Sequence, residues 1–413
     1  MQDARSFLKN LFFRAVGTAD PMQNIARHLP PRPDGRLVVV GAGKASARMA
    51  EAVETVYGPC EGLVITRYGH ARPCRGIEIA EASHPVPDMA GLEATRRILN
   101  LLAETGPDDF VLALVSGGGS ALLSAPANGI DLSEKQALTD SLLACGAPIG
   151  DINGIRKQIS AVKGGRLAAA AYPSKTLALM ISDVPGDNPG DIASGPTVGD
   201  AGNASRAIEV LRRWNVTPPE SISRYLEKGG NPLMPNDIRL SRVENVICAA
   251  PSQSLAAAAK LAGSEGCEVC VLGDSIEGEA SEVAVAHASL ALRARGSKPV
   301  VLLSGGELTV TRHGDGTGGP NAEYALALAI ELQGAHGIHA ISCDTDGVDG
   351  AAEVAGAVVG PETLLKAAKK RVDPVNSLAR NDSHTFFRVI GDQIVTGPTL
   401  TNVNDFRALL ILP

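Results

Sequence analysis

Three stretches of this chain join glycines to residues that handle anions. Val40-Gly41-Ala42-Gly43-Lys44-Ala45-Ser46 sets a lysine directly after a glycine turn, Ser116-Gly117-Gly118-Gly119-Ser120 brackets three glycines with hydroxyls, and Ser304-Gly305-Gly306-Glu307 ends in a carboxylate. Adjacent glycines let several backbone N–H groups converge on one anion, and serines add donors. Lys44 would add a mobile cation at a helix start, where free N–H groups already favour negative charge. The competing readings are a strand-to-helix turn with a solvated lysine at 41–46 and a flexible turn at 117–120. Loop 116–120 is not a Walker A loop, because no Gly-Lys-Ser/Thr closes it.

Two acidic loops complement the glycines. Ser182-Asp183-Val184-Pro185-Gly186-Asp187-Asn188 and Asp344-Thr345-Asp346-Gly347-Val348-Asp349-Gly350 each follow an apolar run. The second loop is not an EF-hand, since glycine stands at its fourth position and the closing glutamate is missing. Carboxylates beside phosphate-sized loops suit magnesium-assisted phosphoryl transfer, because Mg²⁺ takes one or two carboxylates together with phosphate oxygens. Taken singly, each Asp has turn formation as its ordinary use.

Weaker candidates have ordinary explanations. Gly41-Ala42-Gly43 begins like a dinucleotide fingerprint, but Ser46 occupies the third glycine position, and the run 63–66 ends in Arg67 and Tyr68 with no acid for a ribose hydroxyl. Arg156, Lys157, Lys163 and Arg166 could bind a carboxylate or phosphate, although solvated helix faces are the commoner use of such residues. Cys267 and Cys270 read as thiols without a zinc partner pair. His84 and His384 read as structural, and Thr396 to Asp405 as a capping loop.

The elements that position these residues are short apolar runs at 37–40, 63–66, 110–115, 176–181, 245–249, 268–272 and 299–303, alternating with helical stretches such as 45–56, 91–103, 255–262 and 281–295. That alternation predicts α/β layers with largely parallel sheets, and ligands beyond the carboxyl ends of the strands. The segment Gly229 to Ser241, with its two Gly, two Pro and two Asn, marks the domain boundary, giving domains of 1–236 and 237–413. Residues 1–17 space Leu8, Leu11, Phe12 and Ala15 as one helix face. This predicts a docking helix with no export signal, since Asp3 and Lys9 interrupt any signal core.

Composition narrows the function. A chain of 413 residues, 44% hydrophobic and 20% charged, is an ordinary globular composition and long enough for two domains. A net charge of −7 with 3% aromatics supplies neither the field nor the stacking surface for nucleic acid. No run approaches a membrane span of roughly 18 apolar residues. Seven cysteines without framework spacing predict a reducing cytoplasm.

Taken in order, V-G-A-G-K-A-S (40–46), S-G-G-G-S-A-L (116–122), S-D-V-P-G-D (182–187), I-A-S-G-P-T (192–197), S-G-G-E-L-T-V (304–310), D-T-D-G-V-D-G (344–350) and T-G-P-T-L-T-N-V-N-D (396–405) resemble one family over nearly the whole chain. It is the class of glycerate kinases related to GckA and TtuD, which makes 2-phosphoglycerate and whose C-terminal part is called MOFRL. The resemblance implies a two-domain α/β enzyme with a larger Rossmann-like N-terminal domain, a smaller MOFRL domain and a site in the cleft. It implies phosphorylation of D-glycerate by ATP with Mg²⁺. The family's essential lysine falls on Lys44, its acidic residues on Asp183, Glu307 and Asp346, and its last-loop asparagine on Asn402. The three carboxylates are the expected metal ligands, and Gly41, Gly43, Ser116, Gly117, Gly118, Gly119, Ser120, Gly305 and Gly306 the expected nucleotide contacts. Where the family commonly reads G-G-R-N-x-E, this chain has Pro320 in place of arginine. Either Arg312, Arg67 or another cation then substitutes, or activity is reduced, or the substrate differs. The alternative functions are an NAD(P)-dependent hydroxypyruvate reductase and a non-catalytic sugar-acid-binding relative.

Overall fold

The computed structural model describes residues 3–231, 233–350 and 352–413. Contacts divide the chain into a parallel-sheet unit, Asn24–Ser182 with Asp187–Cys248, and a mixed-sheet unit, Met1–Gln23 with Asp183–Gly186 and Ala249–Pro413. This division departs from the expected 236/237 boundary. The run 245–249 lies in a strand, Val243–Ala249, that joins the first sheet, and the N-terminal helix joins the second unit. Residues 1 and 2 of the expected docking helix, and Pro232 in the expected linker, lie outside the described residues.

In the parallel-sheet unit, β1 (Leu37–Ala42), β2 (Glu61–Arg67), β3 (Ile77–Ala82), β4 (Phe110–Val115), β5 (Lys175–Ile181) and β6 (Val243–Ala249) lie in the order β3-β2-β1-β4-β5-β6. The pairs β1/β2, β1/β4, β2/β3 and β4/β5 are all parallel. β1 is buried along its whole length, as a continuous apolar strand covered on both faces should be. The strand order reverses between β1 and β4, so their carboxyl ends form the topological switch point, and both run directly into the glycine stretches. A helical cluster on Leu132–Ala144, Ile149–Gln158, Ala204–Arg213 and Glu220–Glu227 buries Leu138, Leu142, Ile155 and Leu211.

The mixed-sheet unit contains β7 (Glu268–Gly273), β8 (Gly278–Glu279), β9 (Val300–Gly306), β10 (Leu308–Thr309), β11 (Ile338–Asp344), β12 (Gly356–Val359), β13 (Gln393–Ile394) and β14 (Asp405–Ile411). Six form a sheet ordered β13-β12-β11-β14-β9-β7, while β8 and β10 pair separately. Here β7/β9 is parallel, whereas β14 runs antiparallel to both β9 and β11, and β12 antiparallel to β11 and β13. The fold is therefore α/β in both units, with β1 to β5 parallel in the first sheet and the second sheet mixed. Period-2 alternation sorts the faces: Leu409 and Ile411 pack with Ala322 and Leu326 of helix Pro320–Leu332, while Ala408 and Leu410 face helices Ala4–Thr18 and Pro251–Ser264. No described helix is long and apolar enough to cross a membrane.

Helix Ala4–Thr18 explains the departure from the expected boundary. Asp3 caps it by accepting from the N–H groups of Arg5 and Ser6, and its stripe of Phe7, Leu8, Leu11, Phe12 and Ala15 is buried against the mixed sheet. The Phe12 and Phe406 rings meet at 6.0 Å between centroids. Phe12→Ala should destabilise this unit by about 3–5 kcal/mol, read as a lowered midpoint in urea unfolding followed by circular dichroism. A loss below about 1 kcal/mol would mean that the helix is not a core element.

Candidate active site

At the switch point, backbone and serine hydroxyls bind the ends of β1 and β4 together. The Lys44 N–H donates to Gly117 O at 2.8 Å, and the Ala45 N–H to Ser116 Oγ at 3.0 Å. Ser46 Oγ donates to Leu114 O at 3.0 Å and lies 3.2 Å from Ser116 Oγ. The residue in the third fingerprint position is thus a buried pin between a helix and β4. A Cβ at Gly43 would lie 2.0 Å from Ser116 Oγ, so this approach requires glycine. Gly118 takes φ +76°, and a side chain there would come within 3.1 Å of both Lys44 Cγ and the His84 ring. Lys44, His84 and the glycine loop therefore share one spot. Gly41 lies inside β1, paired with Val64 and Leu114, while Gly119 and Ser120 open a short helix, Gly119–Leu122. Ser120 Oγ lies 2.8 Å from Ser194 Oγ.

Basic side chains pack behind this loop, contrary to the expectation of solvated faces. Lys163 is fully buried, and its Nζ donates to Ser120 O at 2.7 Å and Leu123 O at 3.1 Å. Arg156, half-buried, donates from Nη2 to Ser120 O at 3.2 Å and from Nη1 to Asn153 Oδ1 at 3.3 Å. Lys135, which carried no sequence signal beyond a helical position, is buried with its Nζ 3.4 Å from Ser124 Oγ. Burial, then the neighbouring Arg156 charge, pushes the Lys135 ammonium down to about 7. Burial, then Lys135 and Arg156, holds Lys163 well below the ordinary lysine range. Arg166 is buried too, held by the carbonyls of Lys157 at 2.9 Å and Lys163 at 2.7 Å. Lys157 reaches Asp191 at 3.6 Å and Asp200 at 3.9 Å.

In the mixed-sheet unit the two late loops are zipped together. The Asp346 N–H donates to Asp344 Oδ1 and the Val348 N–H to Asp346 Oδ1, at 2.9 and 2.8 Å. The Thr399 N–H donates to Asp346 O at 3.2 Å, the Thr345 hydroxyl to Asn404 O at 2.6 Å, and the Val403 N–H to Thr345 Oγ1 at 2.9 Å. The expected capping loop is thus welded to the acidic loop, which brings the Asp346 and Asn402 loops together. Both residues are buried, and Asn402 Oδ1 accepts from the Asn404 N–H at 3.3 Å. Glu307 is exposed after β9, and Asp183 is half-buried in a segment that groups with this unit. Among the described residues no three His, Cys, Asp or Glu side chains stand together to hold a metal, so Asp183, Glu307 and Asp346 do not form a ready cage. Gly305 and Gly306 are the last residues of β9, paired with Phe406 and Asp405.

Pro320 opens helix Pro320–Leu332, where a missing N–H costs nothing. The next two N–H groups, Asn321 and Ala322, donate to the Asp349 carboxylate at 2.9 and 2.8 Å. His384 Nε2 lies 3.2 Å from the same carboxylate. Asn321 also donates to Asp405 at 2.6 Å, and Asp405 pairs with the fully buried Arg407 at 2.9 Å. Arg312 is turned onto the carbonyls of Gly314 and Gly316, at 3.3 and 3.2 Å, and Arg67 ends β2.

Residues 7–227 match the family described as a domain of unknown function, DUF4147, and residues 300–405 match the MOFRL family. A D-glycerate 2-kinase of Thermotoga maritima is 37% identical over 407 residues, covering 97% of this chain and 96% of that one. A protein of Agrobacterium vitis provisionally named a hydroxypyruvate reductase is 48% identical over 417 residues, covering 99% and 94%. The crystal structure of a glycerate kinase from Thermotoga maritima matches with a TM-score of 0.88 at 36% identity, covering 99% of each chain. The chain is an α/β enzyme of the kinase class. It belongs to the glycerate kinase family in which a DUF4147 region precedes a MOFRL region.

The buried ammonium groups make a direct test of this geometry. A lysine depressed to about 7 when folded and near 10.4 when unfolded leaves the unfolded chain holding the extra proton between those values, so stability rises with pH there. The stability advantage of Lys135→Met over wild type should therefore be greatest below pH 7. It should shrink by about 1 kcal/mol per pH unit between pH 7.5 and 9.5, measured by urea unfolding in amine buffers. A pH-independent difference would mean that Lys135 is not a buried titrating group.

Proposed function

We propose that this protein transfers the γ-phosphoryl group of ATP to the 2-hydroxyl of D-glycerate, giving 2-phospho-D-glycerate and ADP. The observation that carries the reading is the position of Lys44, fixed by its N–H on Gly117 O beside a glycine loop at the β1/β4 switch point, in a chain of this family. Gly43 and Gly119 donate their N–H groups to Ile65 O and Ser116 O, so Gly117 and Gly118 are the loop residues whose N–H groups bind phosphate oxygens, and the Lys44 ammonium offsets negative charge that shifts between donor and acceptor oxygens. Transfer through a loose transition state demands positioning and electrostatics more than a strong base. Asp346 and Asn402, held in two mutually bonded loops, orient the acceptor hydroxyl.

The remaining carboxylates, Glu307 and Asp183, are the ones we assign to a divalent ion. Mg²⁺ needs one or two of them with water and phosphate oxygens, and Glu307 and Asp183 keep accessible side chains. Bound there, it would neutralise charge on the transferred phosphate. Seven free cysteines are in keeping with a reducing cytoplasm as the working compartment. Ser46, committed to Leu114 O and Ser116 Oγ, argues against the dinucleotide fingerprint that a nicotinamide-dependent reductase would use.

Lys44→Met should lower kcat for glycerate-dependent ADP formation by about 10²–10³-fold with its melting temperature unchanged, and EDTA should abolish activity that Mg²⁺ restores. Near-native turnover of the variant would remove Lys44 from the mechanism, and turnover indifferent to EDTA would remove the metal.

A further inference from the structure

The basic cluster behind loop 116–120 has no carboxylate partner among the described residues. The charges acting on Lys135 and Lys163 are other cations, and no acidic group pairs with Arg156. Lysines can relieve such crowding by shedding a proton, but a guanidinium stays charged. Of its five N–H donors, Arg156 uses two weak contacts, at 3.3 and 3.2 Å, and its Nε is buried without a partner. A half-buried guanidinium with its Nε shut off from solvent and no counter-charge is unfavourable, and an anion on its open side would offset that.

The surroundings are built for that anion. Arg156 touches Ser120, the last residue of the glycine loop, whose hydroxyl pairs with that of Ser194 at 2.8 Å. Lys163 clamps the carbonyls of Ser120 and Leu123 from the buried side. A planar fork with spare donors matches the geometry of a carboxylate or phosphate, and the Ser120 and Ser194 hydroxyls can add donors at that end of the loop. We propose that Arg156 is a binding residue for an oxyanion of a reactant, seated at the Ser120 end of the glycine loop, with Lys163 as the positioning residue that holds the loop. The identity of the reactant rests on the phosphoryl-transfer reading: the oxyanion is the carboxylate of glycerate or a phosphate of the nucleotide.

The test compares full-length wild type, Arg156→Gln and Arg156→Lys by steady-state kinetics in glycerate and in ATP, and by calorimetric titration with D-glycerate, ADP, inorganic phosphate and malonate. Arg156→Gln should raise KM for one reactant by roughly 10–100-fold with a smaller change in kcat, and Arg156→Lys should recover part of the loss. A rise confined to glycerate identifies the carboxylate, and one confined to ATP the phosphate. Unchanged KM and unchanged affinity for every probe overturn the proposal. If Arg156→Gln does not fold, Arg156→Lys carries the test, and affinities equal to wild type overturn it. Should wild type fail to phosphorylate glycerate, the functional reading falls while the phosphate and malonate titrations still decide Arg156: binding lost in the variants supports it, and absent or equal binding overturns it.

Discussion

The close approach of residues 43–46 to Ser116 and Gly117 is the constraint on which the site depends. It exists because Gly43 has no Cβ to strike Ser116 Oγ, and because Ser46 and Ser116 satisfy each other and the Leu114 carbonyl in a buried position. That contact joins the two central strands at their carboxyl ends, fixes the Lys44 backbone on Gly117, and orients the start of helix Ser46–Tyr57. A lysine on a free loop would sample many positions. Here its stem starts from a pinned backbone, so orienting the ammonium costs less entropy.

The two units solve the problem of buried charge differently. In the mixed-sheet unit Arg407 is fully buried but paired with Asp405 and bonded to Gly305 O and Ser304 Oγ, so charge and donors are accounted for within the fold. The Asp349 carboxylate likewise caps the helix that Pro320 opens. In the parallel-sheet unit the cations at 135, 156 and 163 crowd one another without an acid among the described residues. The proposal that Arg156 binds an oxyanion rests on this contrast.

The sequence made the motifs and their order readable, because glycine, serine and aspartate at strand ends are local signals. The alternating apolar runs likewise carry the α/β class and β1, β2, β4 and β5, whereas β3, interrupted by Glu78 and Glu81, shows no apolar run. Less was readable where long-range packing decides. The amphipathic stripe of residues 4–18 shows that the helix docks but not on which sheet, and the run 245–249 does not show that it closes the first sheet. The antiparallel directions of β12 and β14, which make the second sheet mixed, are set by long-range connections that no local pattern marks. Arg156 and Lys163 resemble a solvated helix face because their partners, Ser120 and Leu123, lie about forty residues away in sequence. Lys135 has no local mark at all.

If these loops serve phosphoryl transfer to the 2-hydroxyl of glycerate, the product carries its phosphate on C2. The most direct test is ³¹P and ¹³C NMR of the product formed from ATP, Mg²⁺ and D-glycerate, with NADH oxidation by hydroxypyruvate run beside it. Phosphate on C2 with stoichiometric ADP, and no NADH oxidation, is the predicted result. Phosphate on C3, or hydroxypyruvate-dependent NADH oxidation without phosphorylated product, would contradict it.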